Sequence, residues 1–198
     1  MTGTTSHHSD AVISRQVRRL ETLLEDRGIV TGAAVDEAID AFLTGASAAG
    51  GARVVARAWT DPGFRARLLA DGTTAVAELG LSAGGVQPQR LRVVENTVDT
   101  HNVVVCTLCS CYPIRLLGPS PSWYKSEAYR SRVVREPRAV LAEFGLVLPD
   151  DVAVTVWDST SETRYMVLPR RPADTEHLAE QSLAALITRS ALIGTAEL

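Results

Sequence analysis

No apolar run in these 198 residues approaches the ~18–20 needed to span a bilayer, so the chain is not expected to cross a membrane. An excess of charge of one sign is missing too. The formal net charge is −3, which gives neither nucleic acid nor an anionic membrane surface a reason to bind. The stretch Met1 to Asp10 is polar and lacks the positive, apolar and small-residue succession of a signal peptide. The cytoplasm is therefore the expected compartment. Internal repeats are absent, and the one compositional bias is the small-residue patch Ala46 to Ala52. Cysteine is scarce, with 3 in the chain. A disulfide-stapled secreted domain would spread an even number along its length. Here the number is odd and all lie between Cys106 and Cys111, which argues for chemistry at one place.

What is present is enough for a core. A hydrophobic fraction of 45% beside 22% charged residues is that of an ordinary globular protein. The first half reads as helical. Ile13, Val17, Leu20 and Leu24 fall on one helical stripe, with Ser9 or Asp10 as candidate caps and Gly28 beyond the end. A second helix is expected from about Thr31 to Leu43. The pattern breaks near Gly50-Gly51, then resumes through Val54, Val55 and Trp59. Asp61-Pro62 is a helix start, because Asp accepts from free amides and Pro fits the first turn. From Arg90 the residues become β-branched. Leu91 to Val94 and Asn102 to Val105 read as strands, and Pro137 to Phe144 as a short helix ended by Gly145. Val152 to Trp157 and Thr163 to Leu168 flank the polar stretch Asp158 to Glu162, a hairpin signal. A last helix is expected from Asp174 to about Arg189. Residues 1–80 thus form a helical arm and helices, and residues 81–198 an α+β core, working as one unit.

The spacing Cys106, Cys109, Cys111 suits chelation. Cysteines three apart can aim at one ion across a turn, and the third joins if the chain wraps tightly. Cys109 and Cys111 are badly placed for a disulfide with each other. If the amides of Ser110 and Cys111 lose their protons, sulfur and nitrogen donors close two five-membered rings and one six-membered ring. Four donors then lie in a plane, with Cys106 axial and a sixth position open. Amide deprotonation requires a strongly Lewis-acidic ion, so trivalent cobalt or iron fits better than zinc. Three thiolates and two amidates would over-donate, and oxygenating some sulfurs would relieve this. The competing readings are tetrahedral zinc, for which only His101 is nearby as a fourth ligand, an iron–sulfur cluster, which wants a fourth cysteine, and buried inert thiols.

The runs Val94-Glu95-Asn96-Thr97 and His101 to Pro113 closely resemble the metal-binding segment of nitrile hydratase α subunits. Gly51 to Trp59, Trp123 to Ser126, Tyr129 to Arg132, Glu143-Phe144-Gly145 and Thr188-Arg189 extend the resemblance over nearly the whole chain. Thr107, where iron-type members usually carry Ser, indicates the cobalt type. The resemblance implies a layered α-β-β-α core with a helical N-terminal arm that embraces a separate β subunit. It implies one Co(III) per chain, rather than Fe(III), held by Cys106, Cys109, Ser110 and Cys111. Cys109 would be a sulfinate, Cys111 a sulfenate and Cys106 a thiolate. A cobalt-loading activator protein is implied as a second partner and a small nitrile as substrate, hydrated to its amide. Ser110, Cys111 and Gln87, or Gln89 if the register shifts, are the implied catalytic residues. The nucleophile stays open among the Cys111 sulfenate oxygen, a hydroxide on the ion and an outer water.

This chain departs from the family at Ile114-Arg115, where Trp-Pro usually follows Tyr-Pro, and at Pro119-Ser120-Pro121. Losing an indole removes a pocket wall of ~150–250 Å², which would admit a larger or more polar nitrile unless the β partner refills it. Arg130, Arg132, Arg135 and Arg138 read as a solvated or subunit-contact face. Tyr112 is open between the site and the core, while Trp123 and Tyr124 read as packing. Two rivals remain. One is the γ subunit of thiocyanate hydrolase, which has a nearly identical claw. The other is a metal-binding scaffold subunit that has lost activity, for which Ile114-Arg115 is the only support.

Overall fold

The computed structural model describes residues 4–44, 46–82, 89–109 and 111–198, side chains of 4–10, 42 and 43 apart. The chain divides into two compact units, Met1–Gly45 and Ala46–Leu198. The first contains helices α1 (Thr4–Asp26) and α2 (Gly32–Thr44). Because α1 already starts at Thr4, Ser9 and Asp10 lie inside it and do not cap it. Gly28 has φ +64° beyond its end, as its place in the sequence suggests. Thr31 Oγ1 accepts from the Ala34 amide and caps α2. The stripe Ile13, Val17 and Leu20 is exposed within this unit.

The change of character at residue 80 separates helical from strand-bearing chain, while compactness divides the molecule earlier. Helices α3 (Ala48–Thr60), α4 (Pro62–Ala70) and α5 (Gly72–Glu78) belong to the second unit. Asp61 caps α4 through its carboxylate on the Phe64 amide at 2.9 Å, with Pro62 in the first turn. The break expected at Gly50-Gly51 does not occur, and α3 runs through both glycines. They are there for close approach. A Cβ on Gly51 would sit 2.7 Å from Leu192 Cδ1 and 2.9 Å from the Leu116 carbonyl oxygen, so only glycine lets the later helices pack against α3.

Strands β1 (Arg90–Glu95), β2 (Thr100–Val105), β3 (Ala153–Asp158) and β4 (Thr163–Leu168) make two parallel pairs, β1 with β4 and β2 with β3. The hairpin expected between β3 and β4 is therefore absent. The polar stretch between them is instead a crossing from one sheet to the other. At its start the Ser159 amide donates to the Val105 carbonyl, extending the β2–β3 ladder. At its end the Arg90 amide donates to the Glu162 carbonyl, extending β1–β4. Helices α4 and α5 pack on β1, and the helix Pro137–Glu143 packs on β3. The order α-β-β-α results, an α+β fold. Val103, Val104 and Val105 are all buried, because β2 has covered faces on both sides, the condition under which a strand reads as a continuous apolar run.

After the cysteines come a one-turn helix α6 (Ile114–Leu117), a 3-10 turn (Ser122–Lys125), α7 (Glu127–Arg132) and α8 (Pro137–Glu143). The single long helix expected from Asp174 to Arg189 is two short ones, α9 (Glu180–Leu186) and α10 (Arg189–Ile193). Asp174 itself adopts φ +60°, and Thr188 starts α10 anew by accepting from the Ala191 amide. The end of α10 docks on β2 through a buried polar network. His101 Nε2 donates to the Gly194 carbonyl at 2.8 Å, which leaves Nδ1 to accept from the Asn96 amide group at 3.3 Å. Asn102 donates to the Glu95 carbonyl and accepts from the Trp157 indole at 2.7 Å. Every one of these groups is satisfied, so the strand that leads into the cysteines is held in one register.

Candidate metal centre

Strand β2 delivers Cys106 at its end, fully buried. The chain then turns back, leaving Cys109 exposed and Cys111 buried. The Cys106 and Cys109 sulfurs are 3.8 Å apart, those of Cys109 and Cys111 3.1 Å, and all lie within 4.8 Å of one another. With metal–sulfur bonds of ~2.3 Å, neighbouring ligands of an octahedral ion stand about 3.3 Å apart, so this triangle fits one ion. The Cys109 amide donates to Cys106 Sγ at 3.3 Å. His101 cannot complete a zinc tetrahedron, because both its ring nitrogens are engaged with Asn96 and Gly194. Ser110 and Gln87 lie outside the described residues. Gln89 is half-buried at a separate hollow of about 830 Å³ beside α5, none of whose lining residues is a cysteine.

Two charged side chains grip the turn between the first two cysteines, and neither stands out in the sequence. Asp158, the last residue of β3, accepts from the Thr107 amide at 2.9 Å and from Thr107 Oγ1 at 2.6 Å. Arg130 on α7 donates through Nη1 to the Thr107 carbonyl at 3.4 Å and the Leu108 carbonyl at 3.1 Å. The basic run thus splits by partner. Arg132 pairs with Glu136 and Glu143 on the surface, and Arg138 donates to the carbonyls of Leu148, Pro149, Asp150 and Val152. No sequence signal marks Asp158, which sits far along the chain from Thr107 in what reads as a turn.

Behind the cysteines lies an aromatic wall. Tyr124 is fully buried and donates from its hydroxyl to the Cys111 carbonyl at 3.0 Å. Tyr129 donates to the Val104 carbonyl at 2.7 Å. Tyr112 packs edge-on to Tyr124 at 5.0 Å, and Trp123 edge-on to Tyr129 at 4.9 Å. Tyr112 is therefore a core residue in its ring, while its buried hydroxyl has no partner among the described residues. Ile114, half-buried, opens α6 two residues after Tyr112. Burial holds the hydroxyls of Tyr112, Tyr124 and Tyr129 well above the ordinary tyrosine range. Burial and the hydrogen bond with Cys109 push the Cys111 thiol up to about 12, against a downward pull from the Arg164 cation. Without a metal this sulfur keeps its proton at neutral pH.

The model of the family described as nitrile hydratase, alpha chain, matches residues 11–196. The chain belongs to that family. The α subunit of the low-molecular-weight cobalt-containing nitrile hydratase of Rhodococcus rhodochrous is 49% identical over 186 residues, 94% of this chain and 89% of that one. A solved structure of an iron-type nitrile hydratase double mutant from Comamonas testosteroni Ni1 superposes with a TM-score of 0.88 at 45% identity, covering 95% of this chain and 91% of its counterpart. The thiocyanate hydrolase γ subunit of Thiobacillus thioparus is 46% identical over 154 residues, 73% of this chain and 63% of that subunit. The shorter span makes it the more distant relative. Among the described residues no helix is long and apolar enough to cross a membrane.

Proposed function

We propose that this nitrile hydratase family member is the metal-bearing α subunit of a cobalt-type enzyme, adding water to a nitrile to give the amide. The observation that carries the reading is the convergence of three cysteine sulfurs within 4.8 Å of one another in a chain of this family. Cys106, Cys109 and Cys111 would hold Co(III) through sulfur, with the Ser110 and Cys111 amide nitrogens as further donors. Bound there, the ion supplies a Lewis acid for a nitrile or a water. Cobalt is preferred over iron on the cobalt-containing relative and on Thr107.

The chain's own groups do the rest. Burial of Cys106 keeps solvent from one face, and exposure of Cys109 leaves another open. Asp158 and Arg130 hold the turn at its amide and carbonyl ends, and Tyr124 fixes the Cys111 carbonyl. Positioning of this kind is where a metal enzyme's protein shell contributes. Cys111 and Ser110 are assigned the catalytic positions, with Gln87 as a further candidate. A β subunit would complete the pocket, an activator protein would load the cobalt, and the assembly would work in the cytoplasm.

The test is co-expression with a β chain and cobalt, followed by metal analysis, mass spectrometry of the cysteine peptide and assay on a nitrile panel. Cobalt near one per chain, with oxygen added at Cys109 and Cys111 and amide formed, is the expected result. A zinc-loaded or metal-free active assembly would overturn it. Carbonyl sulfide from thiocyanate, without amide from any nitrile, would transfer the chain to the thiocyanate hydrolase reading.

A further inference from the structure

We infer that Arg130 is a positioning residue that sets how strongly the Cys106 sulfur donates to a bound ion, an inference that rests on the reading of Cys106 as a ligand. The path is short and covalent in its middle. Arg130 Nη1 donates to the Leu108 carbonyl at 3.1 Å. That carbonyl and the Cys109 amide are the two ends of one peptide group. The same amide donates to Cys106 Sγ at 3.3 Å. A cation on the oxygen end of a peptide draws electron density toward it and makes the N–H end a stronger donor, the cooperative strengthening expected of hydrogen bonds in series. The sulfur then shares more of its lone-pair density with the amide and has less to give to a metal.

Three further observations make this more than a surface contact. Leu108 is 83% exposed, so its carbonyl would be served by water if the guanidinium were absent. The arrangement therefore substitutes a fixed cation for a mobile dipole. Arg130 Nε is buried and has no partner among the described residues, so the side chain is aimed by the two peptide carbonyls of the turn. And α7 is anchored to the strand that bears Cys106. The residue before Arg130, Tyr129, donates from its hydroxyl to Val104 at 2.7 Å, and Ser126 caps the helix through the Tyr129 amide at 3.2 Å. The cation and the thiol thus share one rigid frame. Asp158 holds the opposite edge of the same turn through the Thr107 amide, so a change at Arg130 alters the electronics of the Leu108–Cys109 peptide without releasing the loop.

The experiment compares Arg130→Gln and Arg130→Lys with the unaltered chain, each co-expressed with a β chain and cobalt. The readouts are cobalt content, the sulfur-to-cobalt charge-transfer band and the kcat and KM for nitrile hydration. With Gln the expected outcome is full cobalt content, a band moved to longer wavelength by a more strongly donating sulfur, and kcat down about tenfold at little-changed KM. With Lys, which keeps the charge, the band returns most of the way. A kcat loss with an unmoved band, or a band moved equally by Lys and Gln, overturns the inference. If Arg130→Gln fails to retain cobalt, the proton chemical shift of the Cys109 amide in the metal-free assemblies decides. An upfield move in Gln but not Lys, the mark of a weaker N–H donor, supports the inference, and an unmoved resonance overturns it. An unaltered assembly without cobalt would overturn the functional reading itself, whereas cobalt and amide formation beside an unshifted Gln variant would overturn this inference alone.

Discussion

Replacing Asp158 with alanine removes both hydrogen bonds that hold Thr107, the amide at 2.9 Å and the hydroxyl at 2.6 Å. Hydrogen bonds to a charged group contribute about 1.5–3 kcal/mol each when sheltered. Both of these are exposed, and solvent screening places each nearer about 1 kcal/mol. The pair is then worth about 2 kcal/mol, which at 1.4 kcal/mol per factor of ten is roughly 30-fold in the opening equilibrium of the turn. The local quantity to measure is hydrogen exchange at the Thr107 amide, whose protection comes from this carboxylate and not from a ladder. Exchange should quicken roughly 30-fold in Asp158→Ala, and cobalt retained after purification should fall with it. Thr107→Val, which removes only the hydroxyl partner, should show roughly a fivefold change at neighbouring amides, near the root of 30 if the bonds contribute equally. Asp158 is remote in sequence, so the intrinsic exchange rate at Thr107 is the same in variant and parent. An unchanged rate at Thr107, with cobalt undiminished, would mean that the turn is held by something other than β3.

Cys109→Ala and Cys111→Ala should each abolish cobalt retention and nitrile hydration, and full activity in either variant would refute the sulfur assignments. In the metal-free chain the Cys111 thiol is raised to about 12 by burial, so cobalt uptake at limiting metal should increase as pH rises from 7 to 9, because a ligand thiol must release its proton. The same shift acts on stability in the other direction. The unfolded thiol ionises from about pH 8.5 while the folded one does not, so stability present below that pH is lost as the pH rises. The buried tyrosines, also raised, add to the loss above about pH 10. Urea midpoints of the metal-free chain should fall between pH 8 and 11, and Cys111→Ser should lessen the early part of the fall; a flat profile would contradict the burial argument. Gly194→Ala should be severely destabilising, since a Cβ there would meet the Asn102 carbonyl oxygen at 1.9 Å with φ at +89°. A melting temperature within about 2 °C of the parent would contradict that close approach, as a 1 kcal/mol loss alone shifts a domain of this size by about 2–4 °C.

Much of this architecture was written locally. Asp61-Pro62, Gly28 and Gly145 mark helix ends by chemistry that needs no distant partner, and each does so in the structure. The β-branched run of β2 announces a strand, and the structure covers it on both faces. The cysteine spacing announces convergence on one ion, and the sulfurs do converge. What could not be read is what depends on remote company. A polar stretch between two β-branched runs is the right length for a hairpin, yet here it carries the chain between sheets, because β2 and β1 offer parallel partners that no local pattern reveals. Gly50-Gly51 looks like a break until Leu116 and Leu192 are seen against it. Arg130 looks like its neighbours in the basic run, and only the return of the Cys106–Cys109 turn beside α7 sets it apart.

The unequal shelter of the three sulfurs has a consequence of its own. In the chain by itself Cys109 faces solvent, Cys111 keeps 9% of its surface and Cys106 none. A dissolved oxidant diffusing in from solution therefore meets them in that order, with the innermost atom behind packed valines and tyrosines. Graded access alone would give the three sites different chemical histories, with no enzyme needed to tell one thiol from the next.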